Sequence, residues 1–112
     1  MLFITNRFPK QSIQSRAGRV FDFDLRNNAP SNSVFFCRRE EDGTCTEVGG
    51  LKFMSELKQS SYRQLLLYIH GYSNLPADVF KAATEFQQLC NGKSDKEVLV
   101  IPVVWPCDND LG

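Results

Sequence analysis

The chain has 112 residues, with 13 basic and 13 acidic side chains, 42% hydrophobic residues and nine Phe. This length suits one small domain with a single core. The hydrophobic content argues against a disordered chain, and the zero net charge removes the overall basic character of a nucleic-acid-binding protein. No apolar run approaches the roughly 20 residues of a membrane span, and the first residues lack the pattern of a secretory signal. We therefore predict a cytoplasmic protein without a nucleic-acid or membrane partner.

The cysteines and the single histidine do not form a recognisable site. Cys37, Cys45, Cys90 and Cys107 contain no CxxC pair, and the sequence holds one His, so the spacing of a zinc site is missing. A cytosolic chain with many large apolar residues does not need disulfides. We predict reduced cysteines that pack as small hydrophobes, with no metal, no cofactor and no disulfide.

The first half of the chain, residues 1–59, predicts β structure. Residues 20–25 alternate apolar and polar, which predicts a strand with Phe21, Phe23 and Leu25 on one face and a solvated face formed by its two Asp residues. We interpret Asp22 and Asp24 as that polar face and not as a paired-carboxylate site. A turn-rich segment joins this strand to residues 33–39, which predicts an antiparallel hairpin. The remaining predicted elements of this half are a strand at 1–5, a short edge strand at 44–48 and a helix at 51–58.

The second half, residues 64–106, predicts a βαβ unit. Residues 65–69 and 98–105 are continuous apolar runs, typical of parallel strands buried on both faces. Pro102 in the second run indicates a bulge or the end of strand pairing. A helix begins at Pro76 and stops at Asn91-Gly92, with an apolar stripe formed by Val79, Ala82, Ala83, Phe86, Leu89 and Cys90. The strands should be parallel with a right-handed crossover, so the whole chain, 1–112, predicts one small α/β domain.

His70-Gly71-Tyr72 follows the first strand of this unit. In a parallel sheet, ligand sites lie at the carboxyl ends of the strands. A glycine there permits a sharp turn and exposes the next amide N–H, which near a helix N-terminus can donate to a developing oxyanion. Glycines at strand ends also serve turning alone, so both interpretations stay open. We expect Gly71 to need a backbone conformation or a close approach that a side chain would disturb.

Four segments in order resemble a known family. These are the run LLLYIHGYSN at 65–74, the paired alanines at 82–83, the run VVWP at 103–106 and the opening FITNR at 3–7. Together they are similar to the serine esterase/lipase-like α/β-hydrolase family of unknown function, the DUF900 group. Its members carry a strand that ends in HGYNN or HGFNN, a helix with paired alanines, a strand that ends in SWP and an N-terminal strand often written FYATNR.

The resemblance implies a partial α/β-hydrolase sheet with an oxyanion-hole loop. By it, the backbone N–H of Tyr72 contributes half of the oxyanion hole and His70 organises the loop, and Leu75 replaces the Ser common before the helix. No serine of the sequence lies in a G-x-S-x-G nucleophile elbow, and with its one His assigned to the loop the chain cannot complete a Ser-His-Asp triad. Cys107 would need His70 as its base to act as a nucleophile. We predict no catalytic residue in this chain.

Two functions of different class follow. The first is the N-terminal part of an α/β-hydrolase-like protein, inactive alone, that carries the oxyanion loop without the nucleophile. The alternative is a non-catalytic small α/β protein that acts through self-association or a partner chain, and a third possibility is catalysis in trans with the missing half on another polypeptide. In the hydrolase fold the strand at 65–69 is internal, so here its second edge would lie bare. An exposed apolar edge recruits other chains, which predicts a symmetric homodimer through that sheet edge.

Overall fold

A computed structural model describes residues 1–72, 74–92 and 97–107. Its elements in chain order are β1 (Leu2–Arg7), β2 (Pro30–Arg39), β3 (Cys45–Glu47), α1 (Gly50–Gln59), β4 (Gln64–Ile69), α2 (Pro76–Asn91) and β5 (Val98–Val104). The strands form one five-stranded mixed sheet in the order β3-β2-β1-β5-β4. β2 is antiparallel to β1 and β3, whereas β5 is parallel to β1 and β4. The α/β class and the parallel strand pair of the βαβ unit are therefore confirmed.

The antiparallel partner of β2 is β1 and not the segment at 20–25, so the hairpin prediction was wrong. Residues 20–25 form isolated bridges, one to Thr46 and one to Pro9. Phe21 and Phe23 both pack into the core, with ring centroids 5.3 Å apart, while Leu25 is half exposed and lines the same cavity as Phe23. The predicted apolar face is therefore present, but on an extended loop segment, because β1 holds the position beside β2.

The two faces of the sheet carry separate cores. On one face, α2 contributes Phe80, whose ring lies 4.8 Å from that of Phe3 in β1. On the other face, α1 lies over β2 through Phe53 and Phe36, with ring centroids 5.2 Å apart. Burying a side chain of this size contributes about 1.5–3 kcal/mol. The α2-side core consists of Phe3, Phe21, Phe35, Cys37, Cys45, Val79, Phe80 and Val104.

β5 is the inner strand of the parallel part and is largely buried, as its apolar run predicts. Pro102 does not end its pairing with β4, because Tyr68 lies opposite Pro102 and Ile69 opposite Val103 in unbroken register. That part of the prediction was wrong. Pairing with β1 begins directly after the proline, at Val103 opposite Ile4, so the residue without an N–H precedes that short ladder.

β4 is an outer strand, and the prediction that it is buried on both faces was wrong. Leu65, Leu67 and Ile69 are 49%, 54% and 66% exposed. They share one face of the strand, and Leu67 lies opposite Ile101, which packs in the same cluster as Phe53. The exposed side chains therefore point to the α1 side of the sheet. They stay exposed because α1 lies over β2 and does not extend across β4.

α2 begins at Pro76 and ends before Gly92, as expected, but its buried stripe is shifted. The buried residues are Pro76, Val79, Phe80 and Ala83, whereas Phe86 and Leu89 of the predicted stripe are exposed. The side chain of Gln87 instead turns to the sheet, where it donates to the carbonyl of Val98 (2.9 Å) and accepts from the N–H of Val100 (2.7 Å). Across the described residues, neither helix is long and apolar enough to span a membrane.

Glu47 of β3 holds the loop that precedes β2. Its carboxylate is fully buried and accepts from the Ser15 hydroxyl, the Arg16 N–H (3.0 Å) and Arg19 Nε (2.7 Å). Burial alone raises the pKa of Glu47, but these hydrogen bonds together outweigh it and hold the pKa below its ordinary value of 4.5. The carboxylate therefore favours the folded state while it is ionised.

Candidate functional site

The loop that follows β4 is braced by His70 and Trp105. The two rings stack, with centroids 4.9 Å apart and planes 10° from parallel. His70 is 3% exposed. We assign its proton to Nδ1, which donates to the carbonyl of Gly71 (2.8 Å), while Nε2 accepts from the backbone N–H of Trp105 (3.0 Å). The Trp105 carbonyl also lies 3.1 Å from Nε2, but a proton on Nε2 would leave Nδ1 facing the Gly71 carbonyl without a hydrogen to donate, so the Nδ1–H tautomer is the one that engages both ring nitrogens. His70 therefore acts as a structural bridge between the ends of β4 and β5.

Asn74 closes the loop from its other end. Its side-chain amide donates to the carbonyl oxygens of Gly71 (3.0 Å) and Tyr72 (3.1 Å). Its backbone meets Cys107, with the N–H 3.3 Å from the Sγ atom and the thiol donating to the Asn74 carbonyl at 3.2 Å. The turn is thus held from the β5 side at two points, by Trp105 and by Cys107.

The hydrogen bonds of this bracing do not use the Tyr72 N–H. Tyr72 is 65% exposed, and no acceptor within residues 1–72, 74–92 and 97–107 receives its backbone N–H. A rigid donor of this kind near a helix N-terminus can stabilise negative charge on an oxygen atom. The position predicted from the sequence is therefore compatible with an oxyanion donor.

Gly71 does not have the special geometry that was expected of it. Its φ angle lies outside the left-handed region, which in this protein is occupied by Gly18, Gly43 and Gly49. A Cβ atom built on Gly71 would meet only the Asn74 amide nitrogen, at 3.9 Å, an ordinary contact. The expectation of strain was wrong because the hydrogen bonds of His70 and Asn74 produce the turn without an unusual backbone conformation.

The start of α2 is weakly capped, as the Leu at this position predicts. Leu75 offers no side-chain acceptor. Half of a capping box remains, because the Asp78 carboxylate accepts from the Leu75 N–H at 3.2 Å. Asp78 also places negative charge in the first turn of the helix, where the helix dipole favours it.

Arg7 ends β1 at the same edge of the sheet and was missed as a site residue. It is fully buried, and its Nε and Nη1 atoms have no hydrogen-bond partner. Its third nitrogen, Nη2, donates to the Asn28 side-chain oxygen at 3.3 Å. Burial lowers the pKa of Arg7, while the nearby Cys107 and Asp24 raise it. An Arg at the end of a short strand is usually solvated, so the sequence carries no signal of this environment.

His70, Gly71, Tyr72 and Asn74 do not line the cavities beside Phe23, Arg26, Thr84 and Gln14 in the described residues. One cavity of about 330 Å³ lies beside the N-terminal half of α2. It brings Lys10, Asp22 and Arg39 around an apolar wall that includes Phe23 and Phe80. Asp22 accepts a hydrogen bond from the side-chain amide of Gln11 at 2.8 Å.

No group of three or more His, Cys, Asp or Glu side chains in the described part of the chain could hold a metal ion. Burial raises the pKa of Cys45 to about 11 and that of Cys37 further still. These two thiols therefore remain protonated at neutral pH, which suits a role in core packing.

Comparison of the chain with protein-family models, with curated proteins and with solved structures finds no match. The α/β-hydrolase resemblance and the role of Tyr72 therefore stay predictions. What the structure brings together is a set at the carboxyl ends of three strands: Arg7 from β1, the residues His70, Gly71, Tyr72 and Asn74 after β4, and Trp105 to Cys107 after β5.

Proposed function

We propose that this chain is the oxyanion-loop part of an α/β-hydrolase-like sheet and does not hydrolyse esters by itself. The observation that carries the proposal is the open Tyr72 N–H on a loop braced by His70 and Asn74. A donor that is fixed before the reaction costs no reorganisation when charge develops, which is the property an oxyanion hole needs.

The same bracing argues against catalysis by the isolated chain. A general base needs a ring nitrogen that can reach a nucleophile, and both nitrogens of the one His are bonded to backbone groups of Gly71 and Trp105. The sequence offers no G-x-S-x-G serine. We expect no turnover of activated short-chain esters above a heat-denatured control. Turnover with stoichiometric labelling of a serine by a fluorophosphonate would contradict this.

The role of Tyr72 needs a test in which the nucleophile is present. The DNA beyond the codon for residue 112, and neighbouring genes, can be read for a strand, a G-x-S-x-G elbow and a helix. In the combined protein, Tyr72→Pro removes the N–H, and we expect the esterase rate to fall about 100-fold or more. Tyr72→Phe keeps the N–H and is the matched control. Equal rates for both variants, or the absence of any such elbow segment, would refute the proposal.

A second candidate function is self-association through β4. Its apolar run is typical of a strand buried on both faces, yet Leu65, Leu67 and Ile69 are about half exposed. The strand also lacks the charges and prolines that usually protect a sheet edge. The opposite edge is protected, because β3 has only three residues and its backbone is hydrogen-bonded to the loop between β1 and β2. The Phe21 N–H of that loop donates to the carbonyl of Cys45 at 3.0 Å.

A second copy of the chain fits this edge. Antiparallel pairing about Leu67 places Leu65 of one copy opposite Ile69 of the other and gives a continuous ten-stranded sheet. The exposed parts of the three side chains equal roughly 1.7 whole side chains on each copy. Because a strand added at the edge covers these side chains only from one side, their contribution stays below the roughly 5–10 kcal/mol that complete burial in both copies would give. Association costs an estimated 4–15 kcal/mol. The new backbone hydrogen bonds therefore decide the balance, and we expect a dimer at tens of micromolar.

Light scattering on a size-exclusion column tests the dimer. Leu67→Lys would place two like charges at the two-fold axis, and we expect a monomer. Leu51→Lys is the control, because Leu51 is 94% exposed and lies on α1, away from the β4 edge. Circular dichroism verifies that both variants are folded. A monodisperse wild-type monomer at tens of micromolar would exclude self-association.

A further inference from the structure

We propose that Arg7 anchors an oxyanion-binding site at the carboxyl edge of the sheet, for the carboxylate or phosphate group of a small molecule that enters past Asn28. This site requires neither ester hydrolysis nor a second copy of the chain. Its test therefore succeeds or fails independently of the two functions proposed above.

The first argument is the unmet hydrogen-bonding capacity of a buried charge. A guanidinium carries five N–H donors, and Arg7 is fully buried with no acceptor at Nε or Nη1. Among the described residues no carboxylate lies within 4.0 Å of it. Buried charges are normally paired, because leaving one unpaired is strongly unfavourable. An orphaned Arg in this position indicates a missing anionic partner.

The second argument is that the backbone is built to hold Arg7 at this point. The Thr5 hydroxyl, itself fully buried, donates to the carbonyl of Val104 at 2.6 Å and accepts from the Arg7 N–H at 3.0 Å. The pairing of β1 with β2 shifts register between Thr5 and Arg7. Irregularities of this kind re-aim side chains and are frequent beside functional sites. They place Arg7 at the strand ends where ligands of parallel sheets bind.

The third argument concerns the entrance. Asn28 is exposed and lies in the turn before β2, and its neutral amide oxygen is a distant acceptor for Nη2, at 3.3 Å. An oxyanion that displaces this amide would reach Nη2 and an adjacent nitrogen that has no acceptor. Carboxylate and phosphate match the guanidinium fork with two parallel hydrogen bonds. The ionisable groups that act on Arg7 are Asp24 and Cys107, and because the Asp24 carboxylate repels an anion, binding depends on the direct hydrogen bonds to the guanidinium.

The experiment measures thermal unfolding of the full chain in inorganic phosphate, in acetate and in chloride at one ionic strength. A ligand that binds the folded state raises the unfolding midpoint with its concentration. We expect a rise for wild type in phosphate or acetate relative to chloride, and the arm with the larger rise identifies the anion class. Arg63→Met, a control at a side chain that is 81% exposed, should behave as wild type. Arg7→Met should lose the anion-specific rise, with affinity weakened about tenfold or more.

A direct measurement covers the case in which Arg7→Met does not fold. The Nε–H resonance of Arg7 is followed by NMR in wild type and in Asn28→Ala as phosphate or acetate is added. We expect this resonance to shift on titration, and the Ala variant to saturate at lower anion concentration, because the competing amide is gone. No shift of the Arg7 resonance, or the same anion dependence in wild type and Arg7→Met, would overturn the proposal.

Discussion

Replacing His70 by Ala should destabilise the protein strongly, because the ring joins the ends of two strands. The change removes a hydrogen bond to Gly71 and leaves the N–H of Trp105 without its acceptor. A lost neutral hydrogen bond costs about 1 kcal/mol, an unpaired partner about 1–3 kcal/mol, and the lost ring stacking about 0.5–1.5 kcal/mol. We expect a total of about 2.5–5.5 kcal/mol, which for a chain of this length lowers the melting temperature by roughly 10–22 °C.

Urea unfolding measures this loss, with the fluorescence of Trp105, the one tryptophan of the chain, as the probe and far-UV circular dichroism as a second signal. His70→Phe separates the two contributions, since it keeps a ring against Trp105 and removes both hydrogen bonds. It should fall between wild type and His70→Ala. A free energy of unfolding for His70→Ala within about 1 kcal/mol of wild type, which is the average effect of any substitution, would refute the bridging role.

Three further predictions test other parts of the fold. Glu47→Gln should cost about 1.5–3 kcal/mol at pH 7, the range of hydrogen bonds to a charged group. Because the folded-state pKa of Glu47 is lowered, this contribution exists above the ordinary value of 4.5 and is lost as the pH falls through the folded-state value. Wild type and variant should therefore converge in acid denaturation. Gly49→Ala should cost about 1–3 kcal/mol, since its φ is +88° and the new Cβ would lie 3.2 Å from that of Ala17. Gly71→Ala should cost less than about 1 kcal/mol. If urea unfolding showed Gly71→Ala to be the more destabilising of the two, the backbone assignment would be contradicted. Thr5→Val should cost about 2–4 kcal/mol by leaving two buried backbone groups unpaired, while Thr5→Ser, which keeps the hydroxyl, should lose only about 1 kcal/mol for the methyl group; equal melting temperatures would show that this hydroxyl does not hold Arg7.

The βαβ half could be predicted because its signals are local. The helix start at Pro76 and the two apolar runs depend on residues within one element, and the structure places them at Gln64–Ile69, Pro76–Asn91 and Val98–Val104. The N-terminal half depends on pairing between distant residues, such as Leu2 opposite Arg38. Period-two alternation at 20–25 does not distinguish a strand from an extended loop, so the wrong partner was assigned to β2.

The position of the candidate loop after β4 could be predicted from the sequence, but the contacts that shape the loop could not. The end of β4 is marked by a glycine, and position alone indicated Tyr72. Asn74 and Cys107 shape the loop through hydrogen bonds. In the sequence, Asn74 stood out only as part of the family motif, and Cys107 only as a nucleophile that lacks a base. The burial of Arg7 depends on the bulge set by Thr5 and on the turn at Asn28. These contacts join residues far apart in sequence, and no periodicity encodes them.

β4 has the apolar sequence of a buried strand but lies at the edge of the sheet. β5 and β4 have equally apolar runs, and they differ in their surroundings: β5 has a strand on each side, whereas β4 has one. A strand with a permanently solvated face normally alternates polar with apolar residues, and Leu65, Leu67 and Ile69 do not follow that rule. Their composition is that of a strand with a covered face and a paired edge. A second copy paired at β4 would supply the edge, and the remaining strands and helices of a hydrolase-like protein would supply both. Leu67→Lys should disfavour either arrangement, because it places a charge at the centre of the contact.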